Sequence, residues 1–398
     1  MNRLFEESTI NGISLKNRFV RSATWEGLAT QKGEATPKLI ERMAQLAKGG
    51  VGLIISSHAF VSPEGQGTPW QLGIYNDELI PKLKEMTSAV HAHGGKIMAQ
   101  LAHAGQHAEE KITGLPAFAV SNSDDLSKKN VKILSPEDIR DMVDSFAKAA
   151  TRAKDADFDG IEIHSGHGYL LSQFLSPAYN KRTDTFGGSV DNRARIHIQI
   201  CQAIRNCVGK DYPIIIKMNG CDFIENGLTI DDSLSAAKLF AQAGFDAIEL
   251  SGGTIRTGKL SPTRMGISTP DKEAYFKDQA RRFKSELKIP IILVGGLRSY
   301  DVADTLIREG IADYISMSRP FIREPDLIDR WKRGIRHPAE CKSDNLCFNP
   351  GFEGKGVYCV TREIEEKRMG WRLQVDGSVD WGRSQDNLEC HSEEVARI

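Results

Sequence analysis

The sequence predicts an α/β protein built as a single (β/α)8 barrel, and three observations predict it. Short β-branched runs alternate with longer segments of helical periodicity, the pattern of a parallel sheet with crossover helices. Eight such runs occur in succession, which favours closure into a barrel over an open doubly wound sheet. Glycine-bearing strand ends fall late in the chain, where the loops after the seventh and eighth strands of a barrel form a phosphate site.

The strands are expected at residues 18–24, 51–57, 96–101, 160–164, 214–218, 247–250, 291–294 and 314–317. Helices are expected at 37–48, 77–93, 136–156, 192–208, 231–243, 272–287, 300–308 and 325–333. Thr36-Pro37 and Ser135-Pro136 each set a capping hydroxyl before a proline at the first helical position. Gly244 and Gly310 follow helical segments and read as C-caps. Residues 1–17, with Ile10-Asn11-Gly12, are expected to form a short hairpin over the barrel floor, residues 18–336 the barrel, and residues 337–398 an irregular tail.

Composition narrows the function. The formal net charge is −1, which gives no basic field to hold a phosphodiester backbone, so nucleic acid is not expected as a partner. The N-terminus carries acidic residues where a secretory signal needs an apolar core, and no apolar run approaches the roughly 20 residues that span a bilayer. A soluble, cytoplasmic protein without membrane partners is expected. Seven cysteines, an odd number in a large chain, point to reduced thiols rather than a disulfide scaffold.

In a barrel, chemistry sits at the C-terminal strand ends. Those ends carry a polar, glycine-rich set that includes Ala23, Thr24, Ser57, Gln100, His164, Lys217, Gly295, Gly296, Ser318 and Arg319. Gly295-Gly296 permits close backbone approach to an anion and Arg319 can clamp it bidentately, although a lone Gly-Gly is also a common tight turn. Lys217 follows an apolar strand and wants an anionic partner: either a ligand such as a reduced flavin, negative near N1 and its C2 carbonyl, or a carboxylate such as Asp222 or Glu249. The densest signal is His164-Ser-Gly-His167-Gly-Tyr169. Two imidazoles at one strand end can converge on a substrate carbonyl and polarise a conjugated alkene, and Tyr169 offers a proton to the α-carbon. A metal reading of the same pair lacks a third ligand nearby.

These motifs, taken in order, resemble the old yellow enzyme family of FMN-dependent NADH:flavin oxidoreductases. The resemblance rests on Leu15-Lys16-Asn17-Arg18, Gln100-Leu-Ala-His103-Ala-Gly105, His164 to Leu170, and Ser176-Pro-Ala-Tyr-Asn-Lys-Arg182 with Gly187-Gly188-Ser189. It implies that Gln100 and Lys217 hold the pyrimidine edge of FMN, that backbone at Ala23, Thr24 and Ser57 lines its ring system, and that Gly295, Gly296, Ser318 and Arg319 bind its phosphate. His164 and His167 would orient the substrate and Tyr169 would donate the proton. The activity implied is reduction of an activated carbon–carbon double bond of a small unsaturated molecule, with NADH or NADPH as electron donor, in a homo-oligomer. The alternative kept from the residues alone is a flavin-free barrel lyase or isomerase acting on a phosphorylated substrate.

The sequence departs from that family in two places. Trp25 stands where many relatives carry Thr or Cys, and it is expected either to line the substrate pocket or to serve as core. Longer relatives carry four cysteines for a [4Fe–4S] cluster after the barrel; here only Cys341, Cys347 and Cys359 are present, with Asp344 nearest the missing place. Four thiolates are the normal requirement, so a tail packed on the barrel is preferred to a cluster or a zinc site. Fewer than 40 residues follow Cys359, and a further nucleotide-binding region is not expected. The loops at 64–70, 109–127 and 255–265 are expected to select the substrate.

Overall fold

All eight expected strands form, and they close. The computed structural model describes residues 3–122 and 130–375. Strands β1 (Phe19–Arg21), β2 (Leu53–Phe60), β3 (Ile97–Ala102), β4 (Gly160–Ser165), β5 (Ile214–Asn219), β6 (Ala247–Ser251), β7 (Ile291–Val294) and β8 (Tyr314–Met317) pair in parallel, each with its sequence neighbours, and β8 returns to β1. Such strands are covered by helices outside and packed side chains inside, which is why they read as near-continuous apolar runs rather than alternating ones.

The eight crossover helices are α1 (Pro37–Lys48), α2 (Ile80–His91), α3 (Pro136–Asp155), α4 (Val190–Val208), α5 (Ile230–Ala243), α6 (Lys277–Glu286), α7 (Tyr300–Arg308) and α8 (Leu327–Lys332). Their starts follow the expected chemistry. Thr36 caps α1, and Ser135 and Asp138 make a reciprocal capping box at α3, which satisfies amides that a helix start leaves without partners. Gly244 closes α5 in the left-handed region at φ 99°, a conformation that costs glycine little.

The N-terminal hairpin pairs Ser8–Ile10 with Ile13–Leu15 in antiparallel register. Ile10 and Leu15 point into the barrel axis, where they join Val20, Leu53, Met98, Ile215 and Ile292 in one buried cluster. The lower barrel is therefore filled by apolar side chains. The main hydrophobic core lies outside it, between strands and helices.

The tail differs from the expected domain division. The compact unit runs from Met1 to Cys359, with Val360–Ile398 as a second unit, so residues 337–359 belong with the barrel. Backbone bonds fasten them there: Ala339 N–H to Arg298 O, Gly266 N–H to Ser343 O, and Val357 N–H to Glu26 O. The second unit holds a 16-residue helix, Val360–Val375, where an irregular tail was expected. Positions 123–127 of the 109–127 loop and positions 376–398 of the tail lie outside the described residues.

Candidate active site

The upper barrel layer is built from side chains that adjacent strands bring into register. Gln100 on β3 stands beside Glu162 on β4, and Lys217 on β5 beside Glu249 on β6. Gln100 Nε2 donates to Glu162 Oε2 at 2.6 Å. Lys217 Nζ donates to Ser22 Oγ at 2.7 Å and lies 2.9 Å from Glu249 Oε2. The ion pair with Glu249 foreseen for Lys217 is thus present. An ammonium carries three donors, and these contacts use two of them, so the third is left for a ligand above. Arg21 on β1 forms a buried ion pair with Glu26, whose other oxygen accepts from Ser57 Oγ.

The glycine-rich ends of β7 and β8 border an open pocket. Gly295 and Gly296 have φ of 135° and 70°, and a Cβ at Gly296 would lie 2.6 Å from the Tyr275 ring. Only glycine meets both conditions. Ser318 Oγ and Thr24 Oγ1 are 2.6 Å apart and join the end of β8 to that of β1. Arg319 is buried, and its Nη1 donates to Asn345 Oδ1 at 2.7 Å. Gly296, Ser318, Arg319, Cys341 and Ser343 all line the same pocket. The tail therefore supplies one wall and aims the arginine. Sequence reading found the glycines and the arginine but missed Ser343 and Asn345, which no local motif connects to them.

At the end of β4 the two imidazoles and Tyr169 come together. The ring centroids of His164 and His167 are 5.2 Å apart, and those of His164 and Tyr169 are 5.1 Å apart. His167 sits at φ 62°, its N–H donates to Asn219 Oδ1, and its Nε2 is 2.8 Å from Ser251 Oγ. That backbone conformation is costly for a non-glycine residue and persists only where the surroundings hold it, here with Gly168 at φ 86° following. Burial holds both imidazoles well below their ordinary pKa; His167 and then Lys217 add to this at His164, and Lys217 adds to it at His167. Both rings are neutral at pH 7 and each offers one N–H. The engagement of His167 Nε2 with Ser251 narrows the expectation that both rings point donors at one oxygen. Burial pushes the Tyr169 hydroxyl up to about 12, so it remains a proton donor.

A third imidazole lies beside these two. His58, on β2, has its ring centroid 5.7 Å from Tyr169 and 6.5 Å from His164. Burial, then Lys217 and Arg21, lower its pKa to about 4, and its Nε2 has no hydrogen-bond partner. A register shift between Ile55 and His58 brings it into line with Gln100. Such bulges re-aim side chains next to sites, and nothing in an apolar run of sequence announces one.

Trp25 is packed against the tail. It is 8% exposed, clusters with Cys347 and Val357, packs its ring 4.5 Å from that of Phe352, and donates its indole N–H to Pro69 O. Its ring packs on tail residues. Among the described residues no group of three or more His, Cys, Asp or Glu side chains is placed to hold a metal ion. Cys341 Sγ accepts from the Ser343 N–H, Cys359 Sγ accepts from Arg323, and Cys347 packs on Trp25. Burial raises the Cys341 thiol above its usual pKa and pushes the Cys347 thiol up to about 12.

A (β/α)8 barrel with an anion cradle after β7 and β8, a cation at mid-mouth and a donor set at β4 belongs to the class that binds a phosphorylated cofactor across its mouth. Comparison with known proteins agrees. Residues 3–337 match the NADH:flavin oxidoreductase / NADH oxidase family, and the chain belongs to this family, which includes the old yellow enzymes. An NADH oxidase of Thermoanaerobacter brockii is 34% identical over 369 residues, covering 91% of this chain and 56% of that protein. A 4,4'-dithiodibutanoate disulfide reductase of Rhodococcus erythropolis is 30% identical over 400 residues, covering 93% and 98%. The solved structure of the old yellow enzyme homologue from Zymomonas mobilis superposes with a TM-score of 0.73 at 26% identity, covering 90% and 97%. The chain thus spans only about half the length of some of its relatives and nearly all of others.

The residues present fit FMN at both ends. The Gly295-Gly296 cradle has no room for a Cβ, and Arg319 and Ser318 border the pocket beside it. At the other end, the spare donors of Lys217 and Gln100 suit an acceptor-rich pyrimidine edge.

Proposed function

We propose that this protein is an FMN-dependent oxidoreductase that takes hydride from NADH or NADPH and delivers it to the activated double bond of a small unsaturated molecule, in a ping-pong sequence. The observation that carries this reading is one barrel mouth holding both the β7–β8 anion cradle and the His164–His167–Tyr169 donor set. FMN, when bound, supplies the hydride acceptor of the first half-reaction and the hydride donor of the second. The chain's own residues do the rest. Gly295, Gly296, Ser318 and Arg319 hold the phosphate, Ala23, Thr24 and Ser57 line the ring system, and Gln100 and Lys217 face the pyrimidine edge. His164, neutral, donates to the substrate oxygen and draws electron density from the alkene. His167 shapes the same pocket from its Ser251 contact. Tyr169 keeps its proton until the α-carbon becomes basic enough to take it.

The test is one anaerobic preparation. Purified protein is expected to show a flavin absorption spectrum and to release FMN detectable by mass spectrometry. NADH or NADPH should bleach that spectrum, and cyclohexenone should restore it. Absence of FMN, or a spectrum indifferent to both nicotinamides, would sink the reading. Restoration by a disulfide but not by cyclohexenone would replace the alkene with another acceptor.

A further inference from the structure

Beneath the mouth lie two carboxyl groups that the proposed reaction does not use. Glu162 and Glu249 are fully buried, their side chains within hydrogen-bonding reach of each other. Glu162 Oε2 accepts from Gln100, and Glu249 Oε1 accepts from Ser316 Oγ at 2.5 Å. Of the other two oxygens, Glu249 Oε2 has Lys217 Nζ at 2.9 Å, while Glu162 Oε1 has no hydrogen-bond partner. A buried acceptor without a donor is costly, and a proton held between the two carboxyls supplies one.

The charge count leads to the same place. Among the described residues, the charged groups that face the pair are Lys217 from β5 and Arg21 from β1, the latter held in its own ion pair with Glu26; His58, His164 and His167 are neutral for the reasons given above. The remaining contacts, Gln100, Ser22 and Ser316, carry no charge. One ammonium therefore stands against two carboxyls. With both ionised, the layer below the mouth would be net negative, in a place where a second buried anion is expensive.

We propose that Glu162 and Glu249 hold a single shared proton beneath the flavin, with Glu249 as the ionised partner of Lys217 and Glu162 as the neutral acid. Glu162 is then a positioning residue that acts through Lys217: it keeps the Lys–Glu–Glu layer neutral, so that the negative charge acquired by FMN on reduction does not face a standing anion. Burial and then Glu249 push the Glu162 carboxyl well above its usual range; at Glu249 burial, the largest single cause, is outweighed by Lys217 together with the Ser316 and Ser22 hydroxyls, which hold that carboxyl below its usual range. This inference rests on the proposed FMN function only for its redox consequence; the shared proton itself does not depend on it.

Infrared spectroscopy of the protein, with FMN and after its removal, reads the proton directly. A carboxylic-acid carbonyl band is expected to persist at pH 8, far above the ordinary glutamate pKa of about 4.3. It should shift on carboxyl-13C labelling of glutamate but not of aspartate, and disappear in Glu162→Gln. The flavin reduction potential gives the second readout. Reduction makes the mouth more negative and so raises the pair's affinity for its proton. In the alkaline range where the band titrates away, the wild type should take up two protons per electron pair instead of one, which doubles the slope of potential against pH. Glu162→Gln, neutral at every pH, should keep the single slope throughout. Absence of the band at pH 8, or its survival in Glu162→Gln, overturns the shared proton. A band that titrates with no change of slope overturns its link to the flavin. Labelling tests the wild type alone, so a variant that does not fold leaves the result intact. A protein without FMN fails the functional reading while the band still decides this one.

Discussion

Tyr169 is the residue at which the proposed proton transfer can be separated from everything else. Its hydroxyl is buried and held up to about 12, so it is neither an anion nor part of the cofactor cradle. Tyr169→Phe should leave FMN content and reduction by NADH or NADPH unchanged while slowing reoxidation by cyclohexenone, by roughly 10²- to 10⁴-fold, the range typical of general acid catalysis. Stopped-flow measurement of the two half-reactions decides it, and equal loss in both contradicts the role. The backbone above this hydroxyl is as informative as the side chain. A Cβ at Gly67 would lie 2.8 Å from Ala104 Cβ and 3.1 Å from Tyr169 Oη. The Gly67 amide is meanwhile pinned by buried Gln71, which also reaches His58 O. Gly67→Ala should therefore impair the same half-reaction as Tyr169→Phe without changing flavin reduction, because it displaces the donor rather than removing it. The single-residue signals of this site were legible where they were local, as in His164-Ser-Gly-His167-Gly-Tyr169. Gly67, Gln71 and His58 were not, because each is defined by what lies across a loop or a bulge.

At the scale of elements, strands and helices were readable because each carries its own periodicity and caps. The relations between them were less so. Glu162 and Glu249 sit in separate apolar runs and look like isolated strand polars; closure of β4, β5 and β6 makes them a pair. The tail is the sharper case. Segment 341–347 is conspicuous in sequence for its cysteines, and it also supplies the wall and anchor of the β7–β8 pocket through Ser343 and Asn345. Asn345 has φ 62° and bridges Arg319 to Thr263 O. Asn345→Ala should free the Arg319 guanidinium and weaken FMN retention by about tenfold, or ~1.4 kcal/mol, close to the lower end of what one hydrogen bond to a charged group contributes. Fluorescence titration of the flavin-stripped protein measures it, and unchanged affinity would show that the tail does not orient this arginine. Trp25→Ala acts on the same element from its other end. Loss of a buried indole costs about 3–5 kcal/mol, and the damage should concentrate in 337–359, read by hydrogen exchange at those amides relative to the β-strands.

For the whole molecule, the polar upper layer carries a thermodynamic consequence that involves more than the site. Burial, as the largest cause, lowers His58 to about 4 and His197 to about 3, and holds His164 and His167 well below their ordinary value. In the unfolded chain each titrates near 6.5. The stability these neutral rings allow is complete above pH 6.5. It is lost as pH falls, because below that value the unfolded state binds protons that the native state refuses. Until the native pKa is reached, each such histidine removes about 1.4 kcal/mol per pH unit. Acid lability should thus begin near pH 6.5, above the range in which ordinary carboxylates protonate. His197 isolates one share of it. The ring bonds Ser165 Oγ through Nε2 and packs against Phe240, behind the barrel strands rather than at the mouth. His197→Gln is expected to cost stability at pH 7 but to lessen the fall between pH 6.5 and pH 4 by about 1.4 kcal/mol per unit. Urea unfolding at pH 7, 6 and 5 gives the slope. Parallel wild-type and variant curves would mean that His197 is already protonated in the native state, and the assignment of acid lability to buried neutral histidines would fail with it.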